Sequence, residues 1–288
     1  MLADLFSYFY QFADVFAFLV LSAAGLAIIF GMMDVINLAH GEFVMCGAYV
    51  TSAAYHAGLP LALAQASGAV AAGVIGVLLE ATMIRPLYSR PLDSLLVTWG
   101  ISLIATQGAL VVLGSTFPGI ATPGHSFSVG PYSFSTYRMV LFAAALCVLG
   151  FIYLLFMRTR FGVHARATMQ NPGMAQALGV RKGFIYAASF GIGTGLAGLC
   201  GALYAPTMNL IPTMGASFIV EAFVTVVVGG ANVLLGTAPA AAALAVIRSA
   251  LNAWYGQVIG EIGLLVAVVL IIRVLPAGFS GWLAKRAG

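Results

Sequence analysis

Charge is what this chain has least of. Only 7% of its 288 residues are Asp, Glu, Lys or Arg, while 62% are hydrophobic and the mean hydropathy is +1.06. An ordinary soluble domain carries roughly a quarter charged residues, so the composition excludes that class and marks an integral membrane protein. Lysine is almost missing: the two are Lys182, followed by Gly183, and Lys285, followed by Arg286. A phosphate-binding loop needs a Lys followed by Ser or Thr, so the chain does not bind ATP in that way. The three cysteines, Cys46, Cys147 and Cys200, all fall in apolar segments and read as packing residues rather than disulfide halves. Histidine is scattered as His40, His56, His125 and His164; His40-Gly41-Glu42 lacks the second histidine of a zinc helix, and no serine sits in a nucleophile elbow. These absences argue against an enzyme and predict no metal site. The N-terminus holds Asp4 and Asp14 but no Lys or Arg, so it lacks a secretory n-region and is read as part of the mature chain.

What is present is apolar sequence in long runs. They cover 15–33, 43–57, 61–84, 94–114, 139–157, 185–205, 217–235, 237–254 and 257–275, and each is of spanning or near-spanning length. The expected fold is therefore all-α: a polytopic helical bundle of about eight or nine transmembrane helices with one or two broken or re-entrant segments, forming a single domain over 1–288. The shorter runs 43–57 and 217–235 are the candidates for re-entry. Basic residues cluster as Arg85 and Arg90, then Arg158, Arg160, Arg166, Arg181 and Lys182, then Arg273, Lys285 and Arg286. The formal net charge of +4 is thus read as topology, with these three regions cytoplasmic and no nucleic-acid partner. Nine crossings with the N-terminus outside satisfy the pattern and place the uncharged loop 115–137, rich in Gly, Pro, Ser and Thr, on the outer side.

The chain is arranged around 34–47, DVINLAHGEFVMCG, where an apolar helix meets Asp34, Asn37, His40, Gly41 and Glu42 before apolar sequence resumes. Two readings are open: an aqueous loop between helices, or a broken helix whose polar groups lie inside the membrane against protein or a water-filled path. In the second, Glu42 is expected to be buried and paired, holding the break by accepting from backbone N–H groups near Asn37–Gly41 or at the start of its own helix. A weak echo appears at Glu221-Ala222-Phe223-Val224, either a coincidence or paired interrupted segments at a repeat interface. Gly191 and Gly195 have the spacing of close helix packing. The segment 158–184 holds five basic residues and no acidic one, and 163–170 and 173–178 are each expected to form a short helix around Asn171-Pro172. It is either a handle for another protein or a basic juxtamembrane loop touching anionic lipid.

Three stretches carry a resemblance: INLAHGEFVMCGAY at 36–49, TRFGVHARATMQNPGMAQALGV at 159–180 and SFIVEAFVTVVVGG at 217–230. They are similar to the permease subunits of bacterial ABC importers of the branched-chain amino acid type, over nearly the whole chain. RPLDSLLVTWGISLIATQ at 90–107, MAQALGV and the acidic residue at 221 more closely resemble the urea and short-chain amide branch, whereas the Thr106 side of ISLIATQ and Ala231-Asn232 depart from the pattern. The resemblance implies an inner-membrane subunit with a periplasmic N-terminus and a cytoplasmic C-terminus. It implies a second permease subunit, a periplasmic substrate-binding protein and two cytoplasmic ATPase subunits that carry the ATP and magnesium, besides membrane lipid. No cofactor is expected on this chain.

The function so implied is translocation of urea or a short-chain amide by alternating access, with branched-chain amino acids as the alternative cargo. From another class, an ion-coupled carrier or channel would use Asp34, Glu42 and Glu221 as proton or cation sites. The candidate pathway residues are Asn37, His40, Glu42, Thr98, Gln107, Glu221 and Thr225; each also has a plain reading as a helix-packing hydrogen bond. Glu221 either accepts from substrate N–H groups or pairs with Arg248. The candidate ATPase-docking residues, which the resemblance places at 162–180, are Arg166, Asn171, Met174, Ala175, Leu178 and Gly179. Met174, Ala175 and Leu178 are expected to present an apolar face to the partner.

Overall fold

The computed structural model describes residues 2–88, 90–230, 236–276 and 278–281. Ala231-Asn232 and the basic pair Lys285 and Arg286 lie outside the described residues. Each of the nine apolar runs contains a helix: α1 (Leu2–Met33), α2 (His40–His56), α3 (Leu61–Leu79), α4 (Pro91–Leu113), α5 (Thr136–Arg158), α8 (Lys182–Tyr204), α9 (Gly215–Gly229), α10 (Ala238–Tyr255) and α11 (Gln257–Val274). The two short helices α6 (Arg160–Gln170) and α7 (Pro172–Ala177) separate α5 from α8. Among the described residues, six helices are long and apolar enough to cross a membrane: α1, α3 with its extension to Leu87, α4, α5, α8 and α11 with residues beyond it to Gly281. That is fewer than the eight or nine expected. The 17 residues of α2 and the 15 of α9 reach about 26 and 23 Å at 1.5 Å per residue, short of a bilayer core of roughly 30 Å.

The chain divides into two compact units, one of Ala24–Ala121 and Ile152–Val220, the other of Met1–Ala23, Thr122–Phe151 and Glu221–Gly288. In the first, α2, α3 and α8 pack on one another at distances that only glycine allows. A Cβ on Gly201 would collide with the carbonyl of Val44, and one on Gly47 with that of Gly198. Gly191 and Gly195 lie along α3 beside Gly73, where a Cβ on Gly195 would stand 3.4 Å from the Ala69 carbonyl. The packing reading of that pair therefore holds. Small residues do here what the hydrophobic effect cannot do between helices in lipid: they let backbones approach.

The end of α3 changes pitch. Glu80–Ile84 form a π turn and Arg85–Leu87 a 3-10 turn, and the wider turn brings residues five apart into register. Glu80 is fully buried and accepts from Arg85 at both oxygens, Nε to Oε1 at 3.3 Å and Nη2 to Oε2 at 3.1 Å, while the Tyr88 hydroxyl also donates to Oε1. Burial pushes the Tyr88 phenol up, so it stays a donor.

In the second unit, residues expected to be an irregular outer loop contain a β-hairpin, β1 (Ser126–Val129) with β2 (Tyr132–Ser135), paired antiparallel from Ser126 against Ser135 to Val129 against Tyr132. Gly130 takes φ +62° at the first turn position, which the fixed negative φ of Pro131 can follow. The hairpin packs on the start of α1: the Phe6 ring lies 5.1 Å from Phe134 and 5.9 Å from Phe127. The Tyr10 hydroxyl satisfies both backbone groups of Ser135, donating to its carbonyl and accepting from its N–H, each at 3.0 Å. That contact engages the part of α1 that precedes the apolar run from 15. Later in this unit, α10 turns back into α11 through Gly256 at φ +87°.

Candidate functional site

The polar stretch 34–39 is a break between two helices. α1 ends at Met33; Asp34 adopts the left-handed conformation at φ +53° and donates its N–H to the Phe30 carbonyl at 2.9 Å, the position and bond of a helix C-terminal turn. Its side chain is exposed. Asn37, His40 and Thr98, by contrast, are essentially completely buried.

Inside the break, backbone groups lose helical partners, and side chains replace them. Asn37 Oδ1 accepts from the Ala39 N–H at 3.1 Å. Thr98, reaching in from α4, accepts from the Leu38 N–H at 3.2 Å, and its proton lies within reach of the Ile36 carbonyl at 3.3 Å and of Leu95 in its own helix at 3.0 Å. One hydroxyl thus bridges an N–H and a C=O two residues apart in the break.

Glu42 is half-buried in the first turn of α2, but it does not cap the break as expected. Its Oε1 accepts from the Ser102 hydroxyl on α4 at 2.9 Å, and Thr106, one turn along the same helix, bears on the same carboxylate. The group that a carboxylate at this third helical position would reach back to, the Ala39 N–H, is already taken by Asn37 Oδ1. Asn37 Nδ2 and Glu42 Oε2 are buried and have no hydrogen-bond partner of good geometry among the described residues.

The remaining pathway candidates fall elsewhere. Gln107 is exposed on α4. Thr225 donates to the Glu221 carbonyl at 2.8 Å, a bond within α9. Glu221 and Thr225 belong to the other compact unit, and there Glu221 Oε2 accepts from Arg248 Nη1 at 2.5 Å. Arg248 Nη2 reaches Glu261 Oε1 at 3.4 Å, and Glu261 is held by Gln257 at 3.1 Å. Asp14 pairs with Arg138 in the same unit. The sequence reading named the Glu221–Arg248 pair as one of two options; it missed Glu261, Asp14 with Arg138, and Glu80 with Arg85. Glu80 had a signal, an acid inside an apolar run five residues before an arginine.

In 158–184 two short helices meet at Asn171, as expected. Thr159 caps α6 by accepting from Gly162 N at 3.1 Å, and Asn171 caps α7 by accepting from Met174 N at 3.0 Å. Arg166 donates to the Phe156 carbonyl at the end of α5 and approaches Met157 Sδ at 3.6 Å, so it ties α6 to its own chain. Ala175 is 3% exposed and belongs to the inner side of the turn, whereas Met174 at 60% and Leu178 at 79% face outward. The expected three-residue apolar face is therefore two residues wide. A cavity of about 340 Å³ lies beside these helices, lined by Phe161, His164, Gly179, Val180, Arg181, Phe184 and Ile185. Among the described residues no group of three or more His, Cys, Asp or Glu could hold a metal ion.

Comparison with known proteins shows the family of the chain. The family described as branched-chain amino acid transport system, permease component, matches residues 8–275. The chain belongs to this family. Its relatives include the high-affinity branched-chain amino acid transport system permease protein LivH of Escherichia coli K12, 26% identical over 91% of this chain and 90% of that protein. The corresponding protein BraD of Pseudomonas aeruginosa is 27% identical over 91% of both chains. A probable branched-chain amino acid transport permease LivH of Methanocaldococcus jannaschii is 25% identical over 91% of this chain and 88% of that protein. No solved structure matches the chain significantly. As a member of this permease family with membrane-spanning apolar helices, the chain is a multi-pass membrane subunit of a transporter, and the polar break and buried ion pairs are features of a permease.

Proposed function

We propose that this permease subunit passes branched-chain amino acids inward by alternating access as half of a transmembrane pair with a second permease. In this reading a periplasmic binding protein delivers the cargo, and two cytoplasmic ATPases, which hold ATP and magnesium, dock on α6–α7 through Met174 and Leu178. The N-terminus and 115–137 lie outside, with 158–184 and the C-terminus inside, an arrangement that puts the basic residues on the cytoplasmic side and requires the short α2 to cross together with the six longer helices.

The observation that carries the choice of cargo is the Glu221–Arg248 ion pair. Glu221 is the residue by which the sequence resembles the urea and amide branch, and its ion pair across to α10 gives it the structural role that stands as the alternative to substrate contact. The names of the relatives point the same way. The leftover atoms in the break fit a zwitterion too: Glu42 Oε2 is an acceptor for an ammonium group and Asn37 Nδ2 a donor to a carboxylate. The second reading, urea or a short-chain amide, keeps the pattern at 90–107 in its favour.

Uptake by the assembled transporter in a strain lacking its own carriers separates the two. Labelled leucine should accumulate and be displaced by isoleucine and valine but not by urea or acetamide. Displacement by the amides instead would reverse the assignment.

A further inference from the structure

The cavity between the start of α6 and the start of α8 has a chemistry that the transport reading does not use. Four of its seven lining residues, Phe161, Val180, Phe184 and Ile185, are apolar, and the two polar side chains are Arg181 and His164. Arg181 has no ion-pair partner among the described residues. The segment 158–184 holds no Asp or Glu at all. The cavity therefore offers an anion a guanidinium and an imidazole N–H, gives an attached apolar group aromatic and aliphatic walls, and brings no carboxylate to an ammonium group. A free amino acid, which brings an ammonium with its carboxylate, is a poor fit.

Position narrows the choice further. α5 ends at Arg158 and α8 begins at Lys182, and both are long and apolar enough to span, so the cavity sits where two spans leave the bilayer. Phe184, two residues into α8, is 66% exposed and lies on the membrane side of Arg181 along that helix. Lys182 is turned aside, its Nζ 5.1 Å from the Tyr186 ring centroid, leaving Arg181 as the cation at the mouth.

We propose that this cavity seats an anionic phospholipid, with its phosphate on Arg181 and His164 and the base of an acyl chain against Phe184 and Phe161. The proposal rests on the membrane-spanning fold and not on the cargo, so it stands or falls independently of the leucine uptake above.

The test is native mass spectrometry of the detergent-purified transporter complex, delipidated and then titrated with phosphatidylglycerol, phosphatidylcholine or glycerol phosphate. Phosphatidylglycerol should be retained in preference to phosphatidylcholine, and Arg181→Gln should weaken it about fivefold, the effect of one basic residue at a membrane surface. Arg160→Gln, at the same level but outside the cavity, should leave retention unchanged. Arg181→Lys, which keeps the charge, should lose less and guards against a folding artefact. Equal losses in Arg181→Gln and Arg160→Gln would mean diffuse surface attraction and overturn the site. Retention of glycerol phosphate as tight as that of the lipid would overturn the lipid assignment in favour of a soluble phosphoester. Release of the ATPases by Arg181→Gln with lipid unaffected would overturn it in favour of a protein contact.

Discussion

Arg248 joins two carboxylates from different helices, Glu221 on α9 at 2.5 Å and Glu261 on α11 at 3.4 Å, and its own Nε finds no acceptor among the described residues. The arginine is 11% exposed and Glu221 18%, so the pair is largely out of water. Breaking such a pair from one side strands the other charge and costs about 3 kcal/mol. Glu221→Ala and Arg248→Ala should each lower the melting temperature of the purified permease, and the double variant should lose much less than the sum of the two. Glu221→Gln, which keeps an acceptor, should fall between. Additive losses would show that the two residues do not act as a pair.

Thr98 bridges Leu38 N–H and Ile36 C=O in the break between α1 and α2. Thr98→Val keeps the shape and deletes the hydroxyl, leaving at least one buried backbone group unpaired at about 1–3 kcal/mol. Thr98→Ser restores it. Thermal unfolding should rank wild type and Thr98→Ser well above Thr98→Val; equal stability of all three would mean that the break is held by other groups.

Two glycines of α8 should behave in opposite ways. Gly201→Ala pushes a methyl into the Val44 carbonyl of α2, whereas nothing lies within 4 Å of a Cβ at Gly183. Backbone cannot yield as a flexible side chain can. We expect Gly201→Ala to abolish recovery of folded protein, and Gly183→Ala to be neutral or stabilising by up to about 1 kcal/mol through higher helix propensity. Yield and monodispersity after detergent extraction would report both.

Met174 and Leu178 carry the proposed ATPase contact. Leu178→Glu alters only an outward side chain, so co-purification of the ATPases should drop while the permease pair stays intact. Ala175→Glu, at a site 3% exposed, should instead destabilise the α6–α7 turn itself. Normal ATPase recovery with Leu178→Glu would move the contact elsewhere, with the 85–93 turn as the next place to examine.

Helix positions were readable from sequence because a membrane helix announces itself through length and apolarity alone, and all nine runs hold one. The hairpin at 126–135 was also within reach: Ser-Phe-Ser-Val and Tyr-Ser-Phe-Ser alternate polar and apolar around Gly130-Pro131, a period of two, but the richness in Gly, Pro and Ser masked it. The partners of polar residues were not legible. Glu42 meets Ser102, 60 residues away, and nothing local encodes which of many hydroxyls on α4 it will face. Ala175 in α7 and Leu178 just after it look alike as apolar residues, and only the turn through Asn171 decides which of them is covered. Arg166, a docking candidate in the sequence, bonds the carbonyl of Phe156 at the end of α5, a partner that no local pattern announces.

The π turn at Glu80–Ile84 acts as a dislocation in α3. One residue more than a regular turn would hold is accommodated there, so the short turn that starts at Arg85 is offset in angle from the pattern before Leu79 by about 100°. The stripe of Gly68, Ala72 and Gly76 that faces inward cannot be continued past residue 84 by counting in threes and fours. A comparison of this helix with a relative lacking the turn should place its single-residue gap inside 80–84. A chimera spliced anywhere in α3 before Glu80 inherits the offset from its C-terminal donor, whereas one spliced after Ile84 takes it from the N-terminal donor and sets whether Glu80 and Arg85 still meet.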